Sequence, residues 1–356
     1  MLSEDARWVA DAVLSSSQTH QIGILPILLI GHSARIVYEG SELMRSPTPG
    51  VAQPLLARRL PTQHAAVIEN ARHATKLFDD SARPYQVLLG EMDAHLQRAR
   101  SEFLGNARFK WALRFESDLG IYLRKGRVLA ITPTVAYRLG EPPTTSTDAL
   151  ARSAGTVSIA QGQALAVLAE AAGQPFTATP TLPFTGIGYL SARDRRSSKY
   201  LPTRYEPIYP ESLKLVLLHV EGDLNTTSLI LPETATAHDD AVFRARVLTT
   251  YHAVSALSHA DTAHPQAQSP HINALRALLT SPEKQRLYSR HGRQVRNRCM
   301  HYEMKGDLDT AALDPAKPMN GIVEALPDGR PFADYREDID AVLEEATRLM
   351  NDWTTR

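Results

Sequence analysis

Arg296, Asn297 and His301 lie within one short run, Arg290-His291-Gly292-Arg293-Gln294-Val295-Arg296-Asn297-Arg298-Cys299-Met300-His301-Tyr302. A histidine with an ordinary pKa of about 6.5 can take or give a proton at neutral pH. An arginine beside it stays charged and grips an anion's oxygens through a planar fork. Together they suit proton transfer next to a phosphate, with the asparagine able to orient the ring or touch the anion.

The sequence predicts a single helix under these residues. Ser281-Pro282-Glu283 supplies a capping hydroxyl, a first-turn proline and a carboxylate over the positive end of the dipole, and Lys305-Gly306 supplies a cation and a terminating glycine. Tyr288, Val295, Cys299 and Tyr302 mark a buried stripe, which leaves Arg286, Arg290, Arg293, Arg296 and Arg298 to project elsewhere. At about 100° per residue Asn297 and His301 share a face, one turn apart, while Arg296 lies roughly 140° around from His301. Two copies meeting about a two-fold axis bring both kinds of side chain into one cleft, so a homodimer is expected.

The pattern R-N-x-x-x-H-Y resembles the signature of the HEPN superfamily, helical domains of RNA-cleaving toxins, phage-defence proteins and RNA-processing enzymes. Arg296, Asn297 and His301 match that motif position for position, and Tyr302 matches a frequent aromatic follower. The resemblance covers residues 238–356. It implies an antiparallel helical bundle and metal-independent endoribonuclease action, in which the 2′-hydroxyl attacks the adjacent phosphorus and leaves a 2′,3′-cyclic phosphate. Catalysis would fall to Arg296, Asn297 and His301, with RNA held by Arg290, Arg293, Arg298 and Tyr302 and with neither cofactor nor metal. A role in antiviral defence or as a toxin would follow, with a separately encoded regulatory or antitoxin partner as a further implication.

The chain of 356 residues is long enough for two or three units. It has 39 basic and 39 acidic residues, so no global field draws it to nucleic acid and any RNA site must come from local clustering. Six cations, Lys284 and the five arginines 286, 290, 293, 296 and 298, face only Glu283 within their own stretch. Cys299 is the sole cysteine, which excludes an intrachain disulfide and a cysteine metal cluster and fits a reducing compartment. The first residues, Met1-Leu2-Ser3-Glu4-Asp5, lack a basic signal-peptide start, and the apolar run from Ile22 to Ile30 is far short of the roughly 20 residues that span a bilayer. A cytoplasmic protein with no membrane partner is expected.

The elements that must position the motif read as mainly α with a smaller β portion. A helical region over 1–105 starts at a Ser3 cap and continues through Ile22 to Tyr38, His64 to Phe78 and Tyr85 to Leu104, with breaks at Ser46–Gly50 and Pro61. A central region over 106–237 holds a small antiparallel sheet. Its strands are Lys110–Glu116, Gly120–Arg124 and Arg127–Thr132, with Lys125-Gly126 turning the chain. Loop follows over 140–155, then an alanine-rich helix from Val157 to Ala172 and strands at Leu213–Val220 and Thr227–Leu231. The bundle over 238–356 contains a long helix after His238, a shorter one through Ile272, Leu275 and Leu279, the motif helix, and a last helix from about Asp334 to Trp353.

Other stretches carry less. Gly186-Ile187-Gly188 lacks the third glycine and following helix of a dinucleotide site, and His259 with His264 lacks companion ligands for zinc. Arg193-Asp194-Arg195-Arg196, followed by Lys199, Tyr200, Arg204 and Tyr205, interleaves charge with aromatic rings that can meet phosphates and bases, or is a basic surface loop. A second reading therefore stands beside the nuclease: a non-catalytic dimerisation or RNA-binding bundle, with function residing in the N-terminal region.

Overall fold

Glu211–Leu229, the central helix, is buried on every side, and its neighbours are laid down around it. The computed structural model describes residues 1–17, 24–45, 69, 71–77, 84–171, 190–235, 237–302 and 308–354. In these residues the fold is mainly helical with one small sheet. Leu213, Leu215, Val216, Leu217, Leu218 and Val220 are all buried, on every face of the central helix. The run Leu213–Val220 and the stretch Thr227–Leu231 were expected as strands, and both belong to this helix and the turn that ends it. A segment enclosed all round shows no 3.6-residue period, so it imitates a buried strand in sequence.

The sheet has the order β2-β1-β3, with β1 Leu119–Arg124, β2 Arg127–Ile131 and β3 Leu190–Arg195, all antiparallel neighbours. Lys125 and Gly126 both take positive φ, 50° and 78°, which is the primed hairpin geometry that matches strand twist. The central helix rides on β2 at Gly222, where an added Cβ would stand 2.4 Å from the Leu129 carbonyl oxygen. Asn225 Nδ2 donates to the Val128 carbonyl 2.9 Å away, tying helix to strand.

Three expectations about this region need correction. Lys110–Glu116 is not a strand: Ala112–Phe115 is a 3₁₀ turn on the surface. The alternation that suggested a strand places Trp111 and Phe115 in solvent rather than against a sheet. The expected loop over 140–155 is helical from Thr147 onward, part of Thr147–Ala171, while β3 arises from residues that read as loop. Gly186-Ile187-Gly188, the breaks at Ser46–Gly50 and Pro61, and the Lys305-Gly306 terminus lie outside the described residues.

Helix Leu2–Ser17, earlier than the expected Ser3 cap, packs with Ile24–Leu28, Ile30–Arg45 and Thr147–Ala171 in one apolar cluster. Tyr85–Phe103, the central helix, Asp239–Ala263, Pro270–Thr280 and Phe332–Asp352 build the other. Each cluster draws on more than one of the segments 1–105, 106–237 and 238–356. Trp8, Leu129, Val242 and Tyr302 share the first. Polar bonds cross the same seams: Trp8 Nε1 donates to Thr234 Oγ1 at 2.8 Å, and His238 Nε2 meets Asp11 Oδ2 at 2.9 Å. Among the described residues no helix is long and apolar enough to cross a membrane.

Candidate functional site

Two consecutive short helices, not one, carry the motif. Ser281 caps Pro282–Leu287, its side chain accepting from Lys284 N at 3.2 Å as expected. The chain then leaves the helix at Tyr288, and Ser289 caps a second helix, Arg290–Met300, by accepting from Gly292 N at 3.2 Å. At Gly292 the new helix passes so close to the old one that an added Cβ would stand 1.9 Å from the Leu287 carbonyl oxygen. Gly292→Ala is therefore expected to destabilise the protein by roughly 1–3 kcal/mol through enforced backbone movement. Urea denaturation against the wild-type chain measures this, and an unchanged midpoint would show that the break between the helices is not tightly held.

The second helix ends at Met300, so His301 is its C-cap rather than a residue of its interior. His301 has extended φ/ψ of −115° and 135°, although its N–H still donates to the Asn297 carbonyl at 2.9 Å. That corrects the expected shared face of Asn297 and His301, because the extended step turns the imidazole away from the helix. Its side chain is 46% exposed, and Nδ1 lies 2.7 Å from Glu39 Oε2. Glu39 comes from helix Ile30–Arg45 and also accepts from Arg72 Nε at 2.9 Å. Burial works to raise the Glu39 pKa, but the hydrogen bonds from His301 and Arg72 outweigh it and hold the carboxyl below its usual range.

Arg296 turns elsewhere. Its Nη1 donates to Asn297 Oδ1 at 3.1 Å, so asparagine and arginine are brought together while histidine joins Glu39. Arg290 and Arg293 face solvent and Arg298 is half-buried. Tyr302 is buried and its hydroxyl donates to Asp5 Oδ2 at 2.6 Å, so it does not offer the RNA contact that the resemblance implied. The buried stripe is otherwise as expected: Val295 and Cys299 are enclosed, and burial pushes the Cys299 thiol up to about 12, which leaves it un-ionised. The basic run is also less bare than the sequence suggests, because Arg286 pairs with Asp338 of the last helix as well as with Glu283.

Behind His301 the same polar contacts continue into a small cleft walled by His32, Arg35, Arg72, Lys76, Arg138 and His252, with Asp223 and Met300. Arg72 links its wall to Glu39, and Met300 immediately precedes His301. Its arginines are each paired with a carboxylate: Arg35 with Asp5, Arg72 with Glu39 and Arg138 with Asp223. Burial, reinforced by Arg35 and Arg138, pushes the His32 pKa down to about 3. The ring binds fewer protons folded than unfolded, so its contribution to stability is lost as pH falls from the ordinary histidine range toward about 3. In an NMR titration the His32 ring signals are expected to stay in their neutral position between pH 7 and 4.5. A midpoint near the ordinary 6.5 would show that the ring is not shut away from water.

Glu39, Arg72 and Asp5 were not singled out in the sequence. Their one local signal is charge inside an apolar helical stripe, as with Arg35 and Glu39 one turn apart among Ile36, Val37 and Ala34, where buried charge demands partners. Among the described residues no group of three or more His, Cys, Asp or Glu is arranged to hold a metal ion. The chain matches no known family model, no curated protein and no solved structure.

Proposed function

We propose that this protein is a metal-independent endoribonuclease of the HEPN type, acting as a homodimer. The observation that carries the reading is the half-exposed His301 imidazole held at Nδ1 by the buried Glu39 carboxylate, within five residues of Arg296. With Nδ1–H donating to Glu39, Nε2 is the atom left to exchange protons with substrate. In the cleavage step Nε2 takes the 2′-hydroxyl proton, a bond forms from O2′ to phosphorus and the bond from phosphorus to the 5′-oxygen breaks. The departing 5′-oxygen takes up a proton from water. Arg296, steadied by Asn297, holds the charge that grows on the non-bridging oxygens. Neighbouring phosphates would find Arg290 and Arg293 on the same helix. Action in antiviral defence or as a toxin, with a separately encoded partner restraining the chain, belongs to the same proposal.

The test is incubation of the purified protein with a panel of mixed-sequence RNAs in EDTA. The expected products end in 2′,3′-cyclic phosphate, whereas cleavage that requires added magnesium sinks the assignment. A second reading has its own support. Arg35 Nη1 donates to the Cys299 carbonyl at 2.9 Å and Tyr302 is bonded to Asp5, so the end of the motif helix is also a structural joint. In that reading the bundle is a non-catalytic dimerisation or RNA-binding module, and no cyclic phosphate forms.

A further inference from the structure

Phe109, Trp111 and Phe115 are 56%, 64% and 65% exposed and stand together on the turn between helix Tyr85–Phe103 and β1. Burying them elsewhere would have been favourable, so their grouping in solvent needs an account. We propose that this turn, together with the adjoining end of β3, is a docking platform for single-stranded RNA.

The platform is held in shape from beneath. Glu116 accepts from Gly105 N and Ala107 N, each at 2.7 Å, closing the loop on itself. Arg196 Nη1 donates to the Leu113 carbonyl at 3.3 Å, and Asp118 accepts from Ser197 N at 2.7 Å, fixing the loop to the segment that follows β3. Glu116 and Asp118 are thereby committed to the protein's own donors, while Asp194 stays exposed on β3. Arg108, Lys110 and Arg114 project outward from the same loop, and Arg193 and Arg195 are exposed on the neighbouring strand. The five exposed cations, Arg108, Lys110, Arg114, Arg193 and Arg195, outnumber the one exposed carboxylate, Asp194, which is complementary to a polyanion.

The rings favour a nucleic-acid strand over other polyanions. Centroids of Phe109 and Trp111 are 6.4 Å apart with planes 17° from parallel, and Trp111 and Phe115 are 6.2 Å apart at 81°. A duplex would offer no base faces to such rings, whereas an unstacked strand can lay successive bases on surfaces that differ in tilt. An anionic bilayer would also attract the cations. However, the Arg108 and Arg114 guanidiniums lie against the Phe109 and Phe115 rings at 5.7 and 4.7 Å, and inserting those rings would carry charge toward hydrocarbon. Against a strand, the ring meets a base and the guanidinium its phosphate. The choice of RNA over DNA rests on the ribonuclease reading; the platform itself does not.

Trp111 makes the test direct, because the other two tryptophans, Trp8 and Trp353, are buried. Titration with a 2′-O-methylated oligouridylate, which lacks the nucleophile and cannot be cut, is expected to quench Trp111 emission. Affinity is expected to fall roughly tenfold or more between 50 and 200 mM salt. Phe115→Ala is expected to weaken binding about tenfold, and Lys110→Glu with Arg114→Glu by more, with unchanged melting temperatures because all three side chains are exposed. No quenching, binding indifferent to these substitutions, or tighter binding of oligothymidylate than of the RNA analogue each overturns the proposal. So does a blue shift with vesicles containing phosphatidylserine in the absence of quenching by the oligonucleotide. Since the probe is uncleavable, quenching without nuclease activity leaves the platform standing and removes the nuclease, and the converse result does the reverse.

Discussion

Asp5→Ala is expected to cost about 3–5 kcal/mol of stability, the penalty for leaving buried guanidinium groups without their counter-charge. Asp5 is fully enclosed. Its two oxygens receive Arg35 Nη2 at 2.7 Å, Arg244 Nε at 2.8 Å and the Tyr302 hydroxyl at 2.6 Å. Arg35 and Arg244 are themselves buried, and with the aspartate gone Glu4, 2.5 Å from Arg244 Nη2, cannot reach both. Burial acts to raise the Asp5 pKa, but the charges of Arg244 and Arg35 and the bonds from Arg244 and Tyr302 prevail and hold it below the ordinary aspartate range. The sign follows: a depressed carboxyl adds stability that is complete above the unfolded aspartate pKa and is lost as pH falls through the folded one. The wild-type chain should thus lose stability on acidification below about pH 4 through this group, and the Asp5→Ala chain should show a shallower acid limb. Chemical denaturation at pH 7 and along the acid limb measures both. A loss under about 1 kcal/mol would mean that the two arginines find other partners and that Asp5 does not hold residues 35, 244 and 302 together.

That joint was invisible in the sequence for a physical reason. Nothing local distinguishes a carboxylate in solvent from one meeting Arg244, 239 residues further along the chain. Short-range order was legible where a face is half-wet. Asp239–Ala263, Pro270–Thr280 and Phe332–Asp352 fall close to the apolar periods at Phe243, Ile272 and Ile339. The β1–β2 hairpin follows from Lys125-Gly126. Legibility failed where tertiary context takes over. The central helix is wrapped on all sides and loses its period, and β3 exists because β1 offers it an edge, not because Ser191-Ala192-Arg193-Asp194 favours a strand.

The site divides in the same way. The run of cations, the Ser281 cap and the Val295 and Cys299 seam are local and were legible. The break at Ser289 was not, because a serine three residues before a glycine was read as helix interior when it is a second cap. That break, with the extended C-cap at His301, decides where the imidazole points, and its partner Glu39 comes from a helix some 260 residues earlier. Residue types in the motif can name a reaction, but the aim of the histidine is set by a long-range contact that carries no local mark.

His301→Ala is expected to lower RNA cleavage by about 10²–10⁴-fold, the range for loss of a positioned acid–base group, and Arg296→Ala by about 10²–10³-fold for loss of charge stabilisation. Neither should shift the melting temperature greatly, since His301 is half-exposed and Arg296 lies outside the Val295 and Cys299 seam. Glu39→Gln keeps the shape of the acceptor but not its charge, so it separates aim from presence, with an intermediate loss expected while His301 remains. Mixing the two alanine variants then locates the site. If Arg296 of one chain serves His301 of the other, each mixed dimer holds one intact pairing and one doubly damaged one. Random mixing makes about half the dimers mixed, so about a quarter of wild-type activity should return. If each chain supplies its own pair, a mixed dimer has none intact and activity stays at the level of the single variants. Full cleavage by either alanine variant alone would leave the His301–Glu39 contact as a structural bond only.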